Sequence, residues 1–394
     1  MRHLHVSGLV ALLITLLGAT LLAAPAGAGL PDRHVRTALP TPTTATVTAD
    51  QLGQDSVVAV VARGRFDVDG ADRLRRSLEV ITPDGARHPV YSVAVEERGG
   101  WLPGDFSLSD WRPEMHTALL RVSRGVERDA LVSYDVTTGV TREVLSPRRA
   151  SNVALRPDGT GVLFTTYATG RRPGRVGMLG WDGTKAWLPA RGADSAITSA
   201  DGRTLVTTYR RSWWLSDLVS RTSTRVGTGD YCTPVRWDDA DSVVAMCSST
   251  RRGSQLRLVD LDGSSAPLGI RHRMRPPRGE PQILSDGDVR TVQGRDYYQS
   301  YGGCGGAVLT RQTRAGAVRL VRSVGDRGVI SLVGTRGDRL LISHVDDECA
   351  SPRARTVLSL FDPVTKDRTH LTVLRRSESW REVIAATEVR SWIW

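Results

Sequence analysis

From Asp55 onward, apolar and polar positions follow one another in short β-branched runs broken by Gly, Asp and Pro, and almost no stretch keeps a 3.6-residue period. The pattern predicts an all-β chain. It also repeats. A strand ending near an Asp, a polar turn and a second strand recur as LEVITPDGARHPVYSV, LVSYDVTTGVTREVL, VGMLGWDGTKAWLPA, WWLSDLVSRTSTRVG, LRLVDLDGSSAPLG, AVLTRQTRAGAVRLV and LSLFDPVTKDRTHLTVL, with turns near residues 84, 135, 182, 217, 262, 314 and 362. The mean spacing is about 46 residues, the length of a four-stranded propeller blade. A second hairpin precedes most copies: ALRPDGTGVLFTTY, AITSADGRTLVTTY, PVRWDDADSVVAMC, SLVGTRGDRLLISH and, less regularly, QILSDGDVRTVQG and LSDWRPEMHTALLRV.

Two hairpins make four strands, so the expected fold is an all-β β-propeller of seven four-stranded blades. A pair of β-sandwiches would not explain the regular four-strand period. A blade cannot cover both of its apolar faces, and the ring must close. In the first copy, SVVAVVAR reads as a second strand with no first strand before it. The C-terminal run Glu382 to Trp394 is expected to supply that strand, with Thr43 to Ala49 as the competing segment.

Residues 1–28, MRHLHVSGLVALLITLLGATLLAAPAGA, have a short positive start, an apolar stretch and a small-x-small end, which is the form of a secretory signal peptide. An uncleaved membrane anchor is the alternative. No Cys precedes Cys232 and no Arg-Arg pair precedes the apolar run, so export through Sec without a lipid anchor is expected, to the cell envelope or outside it. No later segment could span a membrane as a helix. Residues 29–54 form a Pro/Thr-rich leader, read as an extended linker, and 55–394 form the propeller.

The hairpins ALRPDGTGVLFTTY, AITSADGRTLVTTY and PVRWDDADSVVAMC resemble the S-x-D-G-x-x-L-x-[FY] repeats of TolB-like, WD40-like exported bacterial propellers. The Gly-His and Trp-Asp pattern of true WD40 blades is missing apart from Trp181-Asp182 and Trp237-Asp238. The resemblance implies an exported propeller used as a binding platform.

Four cysteines suit an exported protein with two disulfides. In CTPVRWDDADSVVAMC, a hairpin symmetric about its acidic turn sets Trp237 opposite Ser242 and Cys232 opposite Cys247, at the separation a disulfide needs. Cys304 is then left for Cys349. The short C-x2-4-C pairs of a zinc site are lacking.

Charge adds less. The 394 residues carry 53 Lys+Arg against 42 Asp+Glu, a net +11, yet only Lys185 and Lys366 are lysines. Arginine throughout fits a GC-rich bacterial genome. Its scatter argues against a nucleic-acid partner, which would draw positive charge to one face. The sequence has no G-x-S-x-G, H-E-x-x-H, Walker A or C-x-x-C motif, and the reading leaves no residues for the hydrolase domain of a prolyl-oligopeptidase-like enzyme. DVDGAD, from Asp67 to Asp72, does not match an EF-hand loop and reads as solvated. No metal or other cofactor is expected.

Candidate binding residues remain. Tyr297, Tyr298 and Tyr301 stand beside the Gly-rich stretch around Cys304, where a pinned loop would offer an aromatic contact surface. His344, Asp346 and Asp347 gather acid, base and ligand types, with His344 and Asp346 on one strand face. Arg171, Arg172, Arg251 and Arg252 are short basic clusters. Propeller geometry would bring all of these, with the four cysteines, to the face carrying the connections between blades. Trp101, Trp111, Trp213, Trp214 and Trp237 are read as packing between blades. The function expected is a non-enzymatic binding platform for a protein or cell-wall polymer. The alternative is a glycan-active hydrolase or lyase at the channel mouth, which would need a convergent carboxylate pair.

Overall fold

The computed structural model describes residues 40–386, except 54–55, 65–73, 96–101, 126–127, 169–172, 192–194, 250–252, 273–288, 302–306, 313–317, 322–328, 346–354 and 376–377. The chain divides into Met1–Ala38, which lies outside the described residues with the expected signal peptide, and Leu39–Trp394. The second unit is the propeller.

Its described strands pair into seven antiparallel sheets, six of four strands and one of five. The first strands of blades 2 to 7 are Phe106–Arg112, Ala150–Leu155, Ala196–Thr198, Tyr231–Trp237, Arg290–Val292 and Val329–Arg336. First strands of neighbouring blades touch each other at most junctions, so these edges face the axis. In blade 1 this place is filled by Glu378–Ala385, which pairs with Val57–Arg63 and so closes the ring with the C-terminal strand. The strand begins four residues earlier than the sequence suggests, because the alternation of Glu378 to Glu382 is polar and masks it; residues 387–394 lie outside the described part.

Thr43–Thr44 does not compete for that place. It pairs with Tyr91 and Ser92 on the opposite, outer edge of blade 1 and makes that sheet five-stranded. The rest of the described leader is packed as well. The Val47 amide donates to the Val136 carbonyl at 2.9 Å, the Tyr134 hydroxyl donates to the Ala45 carbonyl at 2.6 Å, and Val47 and Leu52 are buried in the core between blades 1 and 2. The Pro/Thr composition masked two apolar side chains at usable positions, so this stretch is a strap across two blades rather than a spacer.

The buried apolar side chains fall into seven clusters, one for each junction between neighbouring blades. Alternation along each strand feeds them. Val58 and Val60 face blade 2, while Val57 and Ala59 on the same strand face blade 7. Leu119 and Leu131 face blade 3, and their neighbours Leu120 and Val132 face blade 1. Both faces of a strand are thus apolar, as a sheet covered on both sides requires. Trp111 and Trp213 are buried in these seams and also tie blades: their indole N–H groups donate to the carbonyls of Ala386 and Cys232, each at 2.8 Å. Trp214 and Trp237 pack at the edges of two clusters.

The turns joining the third and fourth strands carry the repeat by two related devices. In blades 1, 3 and 5 an Asp-Gly pair closes the hairpin, with Gly85, Gly183 and Gly263 at φ of 87°, 84° and 93°, where L side chains are strained. In blades 2, 4 and 7 the carboxylates of Asp135, Asp217 and Asp362 each accept two amides, from the second and third residues beyond. Backbone and Arg203 hydrogen bonds hold the Asp217 carboxyl down to about 2.

Cys232 and Cys247 stand opposite each other and are disulfide-bonded, with Cα atoms 3.9 Å apart. The register matches the symmetric hairpin up to Pro234; a bulge at Val235 then slips the far end by one, so that Trp237 faces Val243. Cys304 and Cys349 lie outside the described residues. The Cys232→Ser/Cys247→Ser double variant is expected to lose about 2 to 3 kcal/mol, as a closed loop of 15 residues predicts. Denaturant melts of oxidised, reduced and variant protein check this; reduction should shift the wild type by more than the variant.

Candidate functional site

The axis-facing strands share a distortion. Five of the seven carry a bulge, at Ser109, near Ser151, at Val235, at Val333 and at Arg381. The two without one, Ala196–Thr198 and Arg290–Val292, are only three residues long. A bulge adds twist and re-aims the following side chain. After Ser109 it turns Asp110 toward blade 3, where a buried carboxylate oxygen accepts the Leu155 amide at 2.8 Å and the Arg112 Nε–H at 3.1 Å. Burial pushes the Asp110 carboxyl up, and Arg112 and the Leu155 amide oppose that only in part. Arg112 reaches past blade 3 to donate to the Thr198 hydroxyl of blade 4 at 2.5 Å. Glu382, on the closing strand, accepts the Leu108 amide of blade 2 at 3.4 Å, and Gln299 of blade 6 accepts the Leu332 amide of blade 7 at 2.7 Å. These four side chains bind blades to one another.

A second polar centre lies in the seam between blades 7 and 1. Glu79 and Glu378, both with buried side chains, share two guanidinium groups. Arg63 meets Glu79 at 2.8 Å and Glu378 at 2.8 Å; Arg87 meets them at 2.7 and 2.8 Å. Ser77 adds a hydroxyl to Glu79 at 2.6 Å. Burial raises the Glu378 carboxyl, but hydrogen bonds from Arg87 and the Arg375 amide and the charges of Arg87 and Arg63 outweigh it, leaving the pKa below the ordinary value.

The structure redistributes the candidates named from sequence. Tyr297 and Tyr298 are not a surface. They are buried on the second strand of blade 6, Arg295–Tyr301, with Tyr297 in the core toward blade 7 and Tyr298 in the core toward blade 5. The reason is the placement of one hairpin. Asp286-Gly287, outside the described residues, looks like its turn, but the strands turn at Gln293-Gly294, with φ of 50° and 68°. That moves the tyrosines from a loop into a strand. Tyr301 closes the same strand, paired with Ala307. His344 is buried on Arg339–Val345, on the strand face it shares with Leu340 and Ile342 toward blade 6. Asp346, Asp347, Arg171, Arg172, Arg251, Arg252 and DVDGAD lie outside the described residues. Among the described residues, no three His, Cys, Asp or Glu side chains gather as a metal site would need, and no helix is long and apolar enough to cross a membrane.

A cluster that sequence reasoning missed sits on the outer rim where blades 2 and 3 meet. Trp187, on the outermost strand Lys185–Arg191, lies directly across from Gly177. Phe164 is the next residue in that row. Its ring meets Trp187 edge to face at 5.3 Å between centroids. Gly177 permits the approach, since a Cβ there would lie 2.5 Å from the Phe164 ring. Two cations cover the indole: the Arg175 guanidinium carbon is 4.0 Å from the ring centroid and the Lys185 ammonium 4.2 Å. In register, Lys185 lies to one side of Trp187 and Arg175 to the other. Desolvation, and then the charges of Arg175 and Arg128, hold the Lys185 pKa below its ordinary value. Arg128, Arg175 and Lys185 are exposed. Among the described residues none of the three forms an ion pair. The signal could have been found in sequence only by joining residues ten apart across a hairpin.

No family model and no curated protein matches the chain. Solved structures do. An acylaminoacyl peptidase in complex with a chloromethyl ketone is 10% identical with a TM-score of 0.52, the match covering 85% of this chain and 52% of that one. A prolyl endopeptidase is 12% identical with a TM-score of 0.50, covering 87% and 50%. TolB from Acinetobacter baumannii is 14% identical with a TM-score of 0.39, covering 87% of each. The chain spans about half the length of the two peptidases. At these identities the likeness is one of fold: a β-propeller.

Two outcomes follow from the geometry. Because the Glu378 pKa is lowered on folding, its contribution is present above the unfolded value of about 4.5 and lost as pH falls through the folded value. Glu378→Gln is therefore expected to cost about 2 kcal/mol near pH 7, with the gap from wild type closing below about pH 4.5, as read from urea midpoints across that range. Gly177→Ala should cost about 1 to 3 kcal/mol by overpacking, with near-ultraviolet circular dichroism reporting the displaced Phe164 and Trp187 rings.

Proposed function

We propose that the chain is an exported, non-enzymatic propeller that serves as a binding platform for a protein or cell-wall polymer. The observation that carries this reading is the use of the axis-facing carboxylates. A ring hydrolase needs two carboxylates turned to the substrate, one holding a proton and one charged, at a spacing set by its mechanism. Asp110 is instead fully buried, bound to Arg112 and the Leu155 amide, and Glu382 takes the Leu108 amide. Both tie blades together. The Cys232–Cys247 bond supports export, since disulfides persist in oxidising compartments, and the form of residues 1–28 agrees with it. The likeness to the peptidases extends to the propeller and lends no peptidase activity to this chain.

The test is affinity capture of the tagged protein from its own envelope and culture fluid, read by mass spectrometry. It is paired with assays of purified protein on extracellular glycans. A partner enriched over a tag-only control, with no glycan turnover, is expected. Turnover of a glycan that disappears in Asp110→Asn or Glu382→Gln variants shown to be folded would overturn the non-enzymatic reading.

A further inference from the structure

We propose that the outer rim between blades 2 and 3, built on Arg128, Arg175, Lys185 and Trp187, binds a phosphate-bearing polymer through its phosphate oxygens. This rests on the binding-platform reading and names a surface and a partner class for it.

Three features point the same way. The cations are held in place: Trp187 is fixed by Phe164, and the Arg175 and Lys185 heads sit on its ring at 4.0 and 4.2 Å. An exposed Arg or Lys side chain ordinarily loses rotamer freedom when it captures an anion, and here part of that cost is already met by the indole. Next, like charges crowd together without an acidic partner among the described residues. Lys185 feels both Arg175 and Arg128, and an incoming anion would relieve that repulsion. Finally, the form of the site selects the ligand. Arg175 and Lys185 cover the ring, so the cations rather than the indole meet the ligand, and stacking of a sugar or base is not the contact. The cations come from two blades and stand on an open rim. A lone anion there would stay hydrated and weakly bound, whereas a chain engages the second and third charges at high effective concentration. A phosphate group suits this set because its free oxygens accept a guanidinium fork and an ammonium together.

The test titrates inorganic polyphosphate into wild type, into Arg128→Gln/Arg175→Gln/Lys185→Gln, and into a control of equal charge change on blade 4, Arg211→Gln/Arg221→Gln/Arg225→Gln. Calorimetry is run at several salt concentrations. Wild type is expected to bind, with log affinity falling by about 0.7 per neutralised phosphate against log salt. The rim variant should lose tenfold or more in affinity and about 2 units of that slope, with the control within about twofold of wild type. Arg128→Gln alone, which leaves the ring stack intact, should lose a part of the affinity; an unchanged thermal midpoint in each variant shows that folding is not the cause. Equal losses in rim and control variants, or no binding by wild type at low salt, would overturn the proposal. Tighter binding of polygalacturonate than of polyphosphate, lost in the rim variant, would overturn the phosphate assignment and reassign the site to carboxylate chains. Partner capture unaffected by the rim substitutions would leave the platform reading standing while this surface fails.

Discussion

Every sheet in this molecule is apolar on both faces, and that single constraint makes the rest necessary. Val57 and Val58, adjacent on one strand, serve two different cores, and the same holds for Leu119 with Leu120 and for Tyr297 with Tyr298. An isolated blade would leave both faces in water, at roughly 25 cal/mol for each Å² exposed. Seven junctions therefore need seven covered seams, and the ring has no free blade to spare. The C-terminal strand in blade 1 follows from this: without Glu378–Ala385, the Val57–Arg63 edge would be unpaired and the core toward blade 7 would lose Ala385.

Polar chemistry is placed to serve that closure. Near the axis the blades converge, and backbone amides of first strands come within reach of side chains from their neighbours. Asp110, Glu382 and Gln299 take up such amides, and the Trp111 and Trp213 indoles reach carbonyls across junctions. Bulges on the inner strands supply the twist and the aim. Asp110, Glu382 and Gln299 are thereby engaged in holding blades together. The Trp187 cluster is on the outer rim because alternation along the outermost strand sends Leu188 and Ala190 into the seam toward blade 4, while Trp187 packs toward blade 2 with Lys185 exposed on the same face beside its ring.

Much of the architecture was legible because it is written in local chemistry. Asp at the start of a turn accepts amides two and three residues on, and Gly at φ near 85° closes the tight hairpins; both leave marks in sequence that do not depend on tertiary context. The Cys232 to Cys247 pairing was legible for the same reason, through the symmetry of one hairpin. Reading failed where two local signals competed. Asp286-Gly287 is a stronger written turn than Gln293-Gly294, yet the latter is the turn observed, and it places Tyr297 and Tyr298 in the core. The leader failed for another reason: Val47 and Leu52 have no periodicity of their own, and only the neighbouring blades make them core. The Arg175, Lys185 and Trp187 site is a product of cross-strand register at a glycine, which no single run of residues displays.

The charged seam between blades 7 and 1 completes the logic of closure. Burying the two carboxylates against partly exposed guanidinium groups is a poor source of net stability, since hydrophobic residues of similar volume would often do as well or better. Its effect is on register. A strand with apolar residues on alternate positions can slip by two residues and keep its faces. For Glu378–Ala385 such a slip would carry Glu378 away from Arg63 and Arg87, leaving two guanidinium groups and the buried Glu79 carboxylate with incomplete partners. The ring is closed by strand ends far apart in sequence, with no covalent link between them, and Arg63 and Arg87 select one alignment from those the apolar pattern would allow.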